Sequence, residues 1–390
     1  MSDQEAKYSF INKALNQRKK NDRLRRLTNI EPSLEGPEIE IDGKRLINFC
    51  SNDYLGLAAH QEVIKRSKEF LEKYGAGSSS SRLISGTQSI HVDLEDKLAK
   101  TFGFESALIF NSGFQANVAI ISAILDRNSL IVIDKKCHNS LVQGAILSRA
   151  TIKRFHHNDS AHVESILQDA QDSSYNRVLI VTETIFSMDG DRNKLNELVD
   201  LAKRYNAILY SDDAHALGVL GEKGLGLNYG TNGVDLSIGT FGKSFGGFGA
   251  FVGCSKEMKD YLLNFASGFI YTTALPPSVI GGLDAALDLI PNLYEQRSHL
   301  FKLVEYFKPE IRKYFEIADT DSQIIPIIIG DETETLKISK YMQDNGLWIS
   351  AIRPPTVEEG ASRLRVTITA RHTKEHVDQL IKSLKNWKHD

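Results

Sequence analysis

Short apolar runs separated by helical stretches constrain this chain more than any other feature. The runs lie at 107–110, 130–133, 177–182, 207–210 and 236–239 and read as buried strands. Helical stretches fall between most of them, for example 194–205. Strands alternating with helices predict a parallel, doubly wound sheet. One link departs from that rule. Only Gly-rich residues separate 236–239 from Ala250–Cys254, which is too short for a parallel crossover. The second of those strands is therefore predicted to run antiparallel.

After about residue 285 the pattern changes: a helical stretch at 300–314 precedes strands at Ile324–Gly330 and 364–369, and a helix closes the chain at 374–387. The polar N-terminal stretch reads as helical and ends in an extended piece at Glu38–Ile41. Three parts are expected: an N-terminal helical segment at 1–48 packing with the small domain, a large domain at 49–285, and a small α+β domain at 286–390. With 390 residues and 41% hydrophobic content, the chain can fill one large core and one smaller one.

The net charge of -3 gives no case for nucleic acid. A local basic cluster, Arg18, Lys19, Lys20, Arg23, Arg25 and Arg26, shares a stretch with Ile11, Ala14, Leu15, Leu24 and Leu27. It reads as a solvated helix face, one of whose arginines could reach a substrate anion. Cys50, Cys137 and Cys254 are too few and too widely spaced for a disulfide framework or a zinc site, and no metal is expected. No secretory apolar stretch follows the opening Met-Ser-Asp-Gln-Glu, and no run approaches the ~20 residues that span a bilayer. A cytoplasmic protein with no membrane partner is expected.

In open α/β sheets, ligands bind beyond the carboxyl ends of the strands. Asp134 and His138 follow the strand at 130–133; Glu183 and Ser187 follow that at 177–182. Asp212, Asp213 and His215 follow 207–210, and Thr240 and Lys243 follow 236–239. Each alone reads as a cap or turn residue, but together they deliver imidazoles, carboxylates, hydroxyls and an amine to one rim. Asn111-Ser-Gly-Phe-Gln115 follows another strand and opens an apolar helix, either as an anion site or as an ordinary N-cap on Asn111 or Ser112.

Lys243 lies in Ser237-Ile-Gly-Thr-Phe-Gly-Lys-Ser-Phe-Gly-Gly247, where glycines leave room for a flat ligand against the backbone. A nucleotide P-loop would need glycine where Ser237 stands, and Gly247-Phe-Gly249 does not continue as a dinucleotide fingerprint. What remains is an amine suited to a Schiff base, an anion site, a carboxylate for a protonated ring nitrogen and an imidazole for a ring face. Pyridoxal phosphate asks for all four.

The chain resembles the α-oxoamine synthases, pyridoxal-phosphate enzymes of the aspartate-aminotransferase fold type I. The resemblance rests on Ser51-Asn-Asp-Tyr-Leu-Gly-Leu57, Ser85-Gly-Thr87, Asn111-Ser-Gly-Phe114 and Thr182-Glu-Thr-Ile-Phe-Ser-Met-Asp-Gly190. It extends to Asp212-Asp-Ala-His-Ala-Leu-Gly218 and Thr240-Phe-Gly-Lys-Ser-Phe-Gly-Gly247. Ala351-Ile-Arg-Pro-Pro-Thr-Val357 and Arg363-Leu-Arg365 narrow it further, with Glu358 standing where a proline is common.

The resemblance implies that Lys243 holds the cofactor and serves as proton-transfer base, Asp212 pairs with the ring nitrogen, and His215 and Ser187 contact the ring's phenolic oxygen. It implies that His138 stacks on the ring, while Gly113 and Phe114 backbone and the Thr240 hydroxyl cradle the phosphate. In the family a Ser/Thr pair from a second subunit often completes that cradle; Thr272 and Thr273 match it, implying a homodimer with shared sites. Arg365 is implied to hold the amino-acid carboxylate, and Arg25 and Thr356 the acyl substrate. The implied reaction is a decarboxylative Claisen condensation of L-alanine with a pimeloyl thioester, on coenzyme A or a carrier protein, in biotin synthesis. The alternatives are a glycine-using relative such as 2-amino-3-oxobutyrate CoA ligase, a simple aminotransferase, and an inactive partner or scaffold subunit.

Overall fold

The computed structural model describes residues 7–389. The opening Met-Ser-Asp-Gln-Glu, the first six residues of the 1–48 segment and residue 390 lie outside the described residues. The chain divides into two compact units: one takes Asn52–Phe301 with Thr320–Ser322, the other the residues up to Ser51 with Lys302–Asp319 and the chain from Gln323 onward.

The larger unit is built on a seven-stranded sheet. Its strand order is Ser106–Phe110, Ala250–Cys254, Leu236–Thr240, Ile208–Asp212, Arg177–Glu183, Ser129–Asp134 and Thr151–Phe155. Ala250–Cys254 runs antiparallel to both its neighbours, as its short link predicts, and the remaining pairs are parallel. Side chains alternate between two buried faces, as a strand demands. Ile131, Ile133, Leu179, Val181 and Tyr210 join one core with the helices Gly113–Ile124 and Asn139–Ser148. Leu130, Val132, Ile180 and Leu209 join another with Ser160–Gln171 and Leu195–Arg204.

The edge strand Thr151–Phe155 was not among the expected strands. Its sequence, Thr-Ile-Lys-Arg-Phe, exposes Lys153 and Arg154 and so lacks a continuous apolar run. A charged edge blocks pairing with further strands. From Ser129–Asp134 the chain moves outward to this edge and then returns to the opposite side of Ser129–Asp134, where Arg177–Glu183 pairs. Strand order thus reverses between these two strands, and their carboxyl ends border the crevice expected at such a switch.

The smaller unit contains two four-stranded sheets. In one of them Ile324–Gly330 pairs antiparallel with Ser362–Thr367, setting Pro326 opposite Arg365. The closing helix runs Lys374–His389. The N-terminal helix, Ser9–Lys20, buries none of its residues and stops before half of the basic cluster. Asp22 takes a left-handed conformation at φ 51°, so Arg23, Arg25 and Arg26 lie beyond the helix instead of on a shared face. Arg23 instead pairs with Glu332 at 2.6 Å and Glu359 at 3.1 Å.

Candidate active site

Leu236–Thr240 delivers the chain to the Lys243 loop. Phe241 N donates to Gly249 O at 2.9 Å, Gly247 N to Phe241 O at 2.9 Å, and Gly246 N to Lys243 O at 2.8 Å. Gly246 has φ 61°, and a Cβ there would stand 2.1 Å from Ala58 N, so no side chain fits. The turn beneath is capped by Asp53, which accepts from Leu57 N at 2.9 Å and Ala58 N at 3.2 Å. Within this unit, the Asn52-Asp-Tyr-Leu-Gly-Leu57 stretch is thus the seat of the lysine loop.

Adjacent Asp212 and Asp213 have different tasks. Asp212 is buried, and its Oδ2 accepts from Asn117 Nδ2 at 2.9 Å while its Oδ1 accepts from Ala214 N at 3.0 Å. Asp213 accepts from the Thr184 hydroxyl and from Leu227 N and Asn228 N, each at 3.2 Å. It therefore anchors the loop after it. Burial raises the Asp213 carboxyl to about 6 despite these donors.

His138 caps the helix Asn139–Ser148, its Nδ1 lying 3.3 Å from Ser140 N and 2.8 Å from Ser140 Oγ. Its backbone N–H donates to Glu183 across the switch in strand order. Burial lowers the His138 pKa, opposed by Asp212 and reinforced by Lys243. Burial raises Glu183 to about 8, the Asp212 charge adding to the effect and the His138 N–H and Lys243 opposing it. The mutual influence of His138, Glu183, Asp212 and Lys243 brings four of the strand-end groups into one electrostatic neighbourhood. His215 Nδ1 lies 2.6 Å from the hydroxyl of Tyr54, itself fully buried.

Ser187 is buried in the turn after Arg177–Glu183, where Gly190 N donates to Phe186 O at 2.8 Å and Phe186 N to Asp191 O at 3.1 Å. His157 pins this turn, its Nε2 2.7 Å from Asp191 Oδ2 and its Nδ1 2.9 Å from Asp134 Oδ1. Burial alone would lower the His157 pKa, but the two carboxylates bring it up to about 9. Asp134, read from the sequence as a rim residue, is thus a support for the Ser187 turn.

Ser112 is the N-cap of Gly113–Ile124 and accepts from Gln115 N at 3.1 Å. A Cβ on Gly113 would stand 2.5 Å from Thr240 Cγ2, so only glycine lets these two strand ends approach. The Thr240 hydroxyl is buried without a hydrogen-bond partner. An orphaned buried hydroxyl at a helix N-terminus fits an anion. Asn111 Nδ2 reaches Thr272 Oγ1 at 3.2 Å and Thr273 O at 2.8 Å in the same chain, which brings that pair to the start of the same helix.

Within the smaller unit, Arg25 Nη2 donates to Thr356 Oγ1 at 3.0 Å, so the two residues expected to meet the acyl substrate meet each other. Arg365 is buried, with Nη1 3.0 Å from Thr367 Oγ1.

The larger unit therefore presents a lysine, a held carboxylate, an imidazole and an orphaned hydroxyl beside a helix N-terminus. Pyridoxal phosphate fits that set: amine for aldehyde, carboxylate for ring nitrogen, and N-terminus with hydroxyl for phosphate. Sequence reasoning missed Asn117, Ser140 and the individual role of Tyr54. For Asn117 the available signal was a lone amide inside a run, Ala116–Ile124, that is otherwise apolar except for Ser122. No group of three or more His, Cys, Asp or Glu among the described residues could hold a metal ion. No helix among them is long and apolar enough to cross a membrane.

Residues 44–384 match the family described as aminotransferase class I and II. The chain is 40% identical over 382 residues to the 8-amino-7-oxononanoate synthase of Saccharophagus degradans, covering 96% of each. Its structure is similar to 8-amino-7-oxononanoate synthase from Francisella tularensis, with TM-score 0.75 and 27% identity over 88% of this chain and 98% of that one. It is also similar to the serine palmitoyltransferase of Sphingomonas wittichii, with TM-score 0.90 and 27% identity over 99% of this chain and 98% of that one. The chain belongs to the class I and II aminotransferase family and, within it, to the α-oxoamine synthases.

Proposed function

We propose that the chain condenses L-alanine with a pimeloyl thioester to give 8-amino-7-oxononanoate, carbon dioxide and the free thiol. The observation that carries this reading is 40% identity to the Saccharophagus degradans protein named for that product, over 96% of both chains. Pyridoxal phosphate is the cofactor; when bound, it supplies an electron sink for the amino acid's α-carbon.

Lys243 would hold the cofactor through Nζ, and its amine, when free, would serve as the base for the amino acid's α-proton. Asp212 keeps a proton on the ring nitrogen, its carboxylate fixed by Asn117 and the Ala214 amide. His138 covers the ring face, and His215 and Ser187 serve the ring oxygen. The Gly113 and Phe114 amides and the Thr240 hydroxyl bind the phosphate, which gives that hydroxyl the partner it lacks. In a homodimer, Thr272 and Thr273 of the second subunit complete this cradle; within one chain the same pair is tied to Asn111.

Arg365 holds the amino-acid carboxylate with its planar fork. Arg25 and Thr356 bind the acyl substrate, a pairing supported by their mutual hydrogen bond. The α-carbon bonds to the thioester carbonyl and the thiol departs. The carboxylate, now β to a ketone, leaves as carbon dioxide, and Lys243 returns a proton to the α-carbon. The three cysteines are unpaired, in keeping with a cytoplasmic enzyme.

The test is product formation with L-alanine and with glycine as competing amino acids, using pimeloyl-CoA and a pimeloyl carrier protein as donors. Alanine-dependent product supports the reading; turnover of glycine alone would move the chain to a glycine-using relative.

A further inference from the structure

We propose that Asn117 is a positioning residue whose single amide sets both the Asp212 carboxylate and the His138 imidazole. The proposal rests on the functional reading above, which gives those two groups the ring nitrogen and the ring face.

Asn117 is 2% exposed and sits one turn into the helix Gly113–Ile124. Its Nδ2 carries two hydrogens and has two acceptors: Asp212 Oδ2 at 2.9 Å and Ser140 Oγ at 2.9 Å. Its Oδ1 accepts from the Tyr210 hydroxyl at 2.7 Å. All three bonds agree on one orientation of the amide. Turned over, Oδ1 would face the Asp212 carboxylate, acceptor against acceptor. Tyr210 stands two residues before Asp212 on the same strand, so both side chains lie on the face toward this helix.

The consequences run in two directions. Asp212 is held at both oxygens, by Asn117 and by the Ala214 amide, which fixes the rotation of its carboxylate. Ser140 is fully buried and already receives the Asn117 N–H, so its own hydrogen turns toward His138 Nδ1, 2.8 Å away. The Ser140 backbone N–H faces that same ring nitrogen at 3.3 Å. Two donors on Nδ1 leave the ring proton on Nε2. A directional chain of hydrogen bonds thus runs Tyr210 to Asn117 to Ser140 to His138, with one branch to Asp212.

An amide is the side chain that can do this. Aspartate at 117 would set a second carboxylate against Asp212, and alanine would leave Asp212 Oδ2 and the Tyr210 hydroxyl each short of a partner.

The test compares wild type, Asn117→Ala and Ser140→Ala as cofactor-loaded proteins. Three readouts are taken: the pH midpoint of the bound cofactor's visible absorbance, the 15N shifts of the His138 ring, and kcat against the KM for L-alanine. Asn117→Ala is expected to move the midpoint, convert the His138 ring from one tautomer to a mixture, and lower kcat roughly tenfold or more with KM changed by less than about threefold. Ser140→Ala is expected to alter the His138 shifts alone and to leave the midpoint in place. It tests the His138 branch even if Asn117→Ala does not fold. Wild-type midpoint and shifts in Asn117→Ala, or wild-type His138 shifts in Ser140→Ala, would overturn the proposal while leaving the functional reading intact. A wild-type protein that takes up no cofactor would overturn both.

Discussion

The backbone N–H of His138 donates to the Glu183 side chain, joining the ends of the two strands between which the strand order reverses. The bond holds the start of the imidazole's helix against the strand that leads to Ser187. Glu183 is raised from 4.5 to about 8, chiefly by burial. Between those values the folded protein holds a proton that the unfolded chain releases, so this group's stabilising contribution is complete below pH 4.5 and lost as pH rises through about 8. Glu183→Gln keeps the shape of the neutral form and removes the titration. Melting of the apoprotein at pH 5 and pH 8 is expected to show a smaller loss in the variant, by about 3 °C or more. Equal losses would contradict the assignment.

His157 has the same sign through the opposite charge. Its hydrogen bonds to Asp134 and Asp191 outweigh burial and raise it from 6.5 to about 9. The contribution is complete below pH 6.5 and is lost as pH rises through 9, a change on the order of 3 kcal/mol. His157→Gln should be less stable than wild type at pH 6, and the gap should narrow by pH 9.5. A gap independent of pH would remove the charged clamp on the Ser187 turn.

Thr240→Val replaces the orphaned hydroxyl with a methyl of nearly the same shape. The apoprotein should gain about 1 kcal/mol, since an unpaired buried polar group disappears. Cofactor affinity should fall roughly tenfold, since the phosphate loses a donor. Isothermal titration and melting of the same samples measure both, and a variant that loses apoprotein stability and keeps its affinity would refute the role.

Arg25 and Thr356 are hydrogen-bonded, so their substitutions should not add. Arg25→Ala is expected to raise the KM for the acyl thioester about tenfold while leaving that for alanine unchanged. Thr356→Ala should have a smaller effect, and the double variant should resemble Arg25→Ala. Strict additivity, or a shift confined to alanine, would separate the pair from the acyl substrate.

Much of the fold was legible because strands buried on both faces must be apolar along their length; Ser129–Asp134 and Leu236–Thr240 extend the expected runs by a residue or two. The antiparallel Ala250–Cys254 followed from a link too short to cross over. Thr151–Phe155 was hidden because an edge strand can carry Lys153 and Arg154. The end of the N-terminal helix was hidden because one left-handed residue, Asp22, decides it. Lys243, Asp212 and His138 were found at strand ends because strand ends can be counted along the chain. Asn117 was not, because its partner Asp212 lies 95 residues away and only the folded sheet brings them together.

The most direct measurement is mass-spectrometric detection of 8-amino-7-oxononanoate from purified protein, pyridoxal phosphate, L-alanine and pimeloyl-CoA, with Lys243→Ala run in parallel. Wild type is expected to give alanine-dependent product and stoichiometric carbon dioxide, and a folded Lys243→Ala neither. Product formation by Lys243→Ala at the wild-type rate, or wild-type protein that binds the cofactor yet condenses alanine with neither a coenzyme A nor a carrier-protein thioester, would contradict the proposed mechanism.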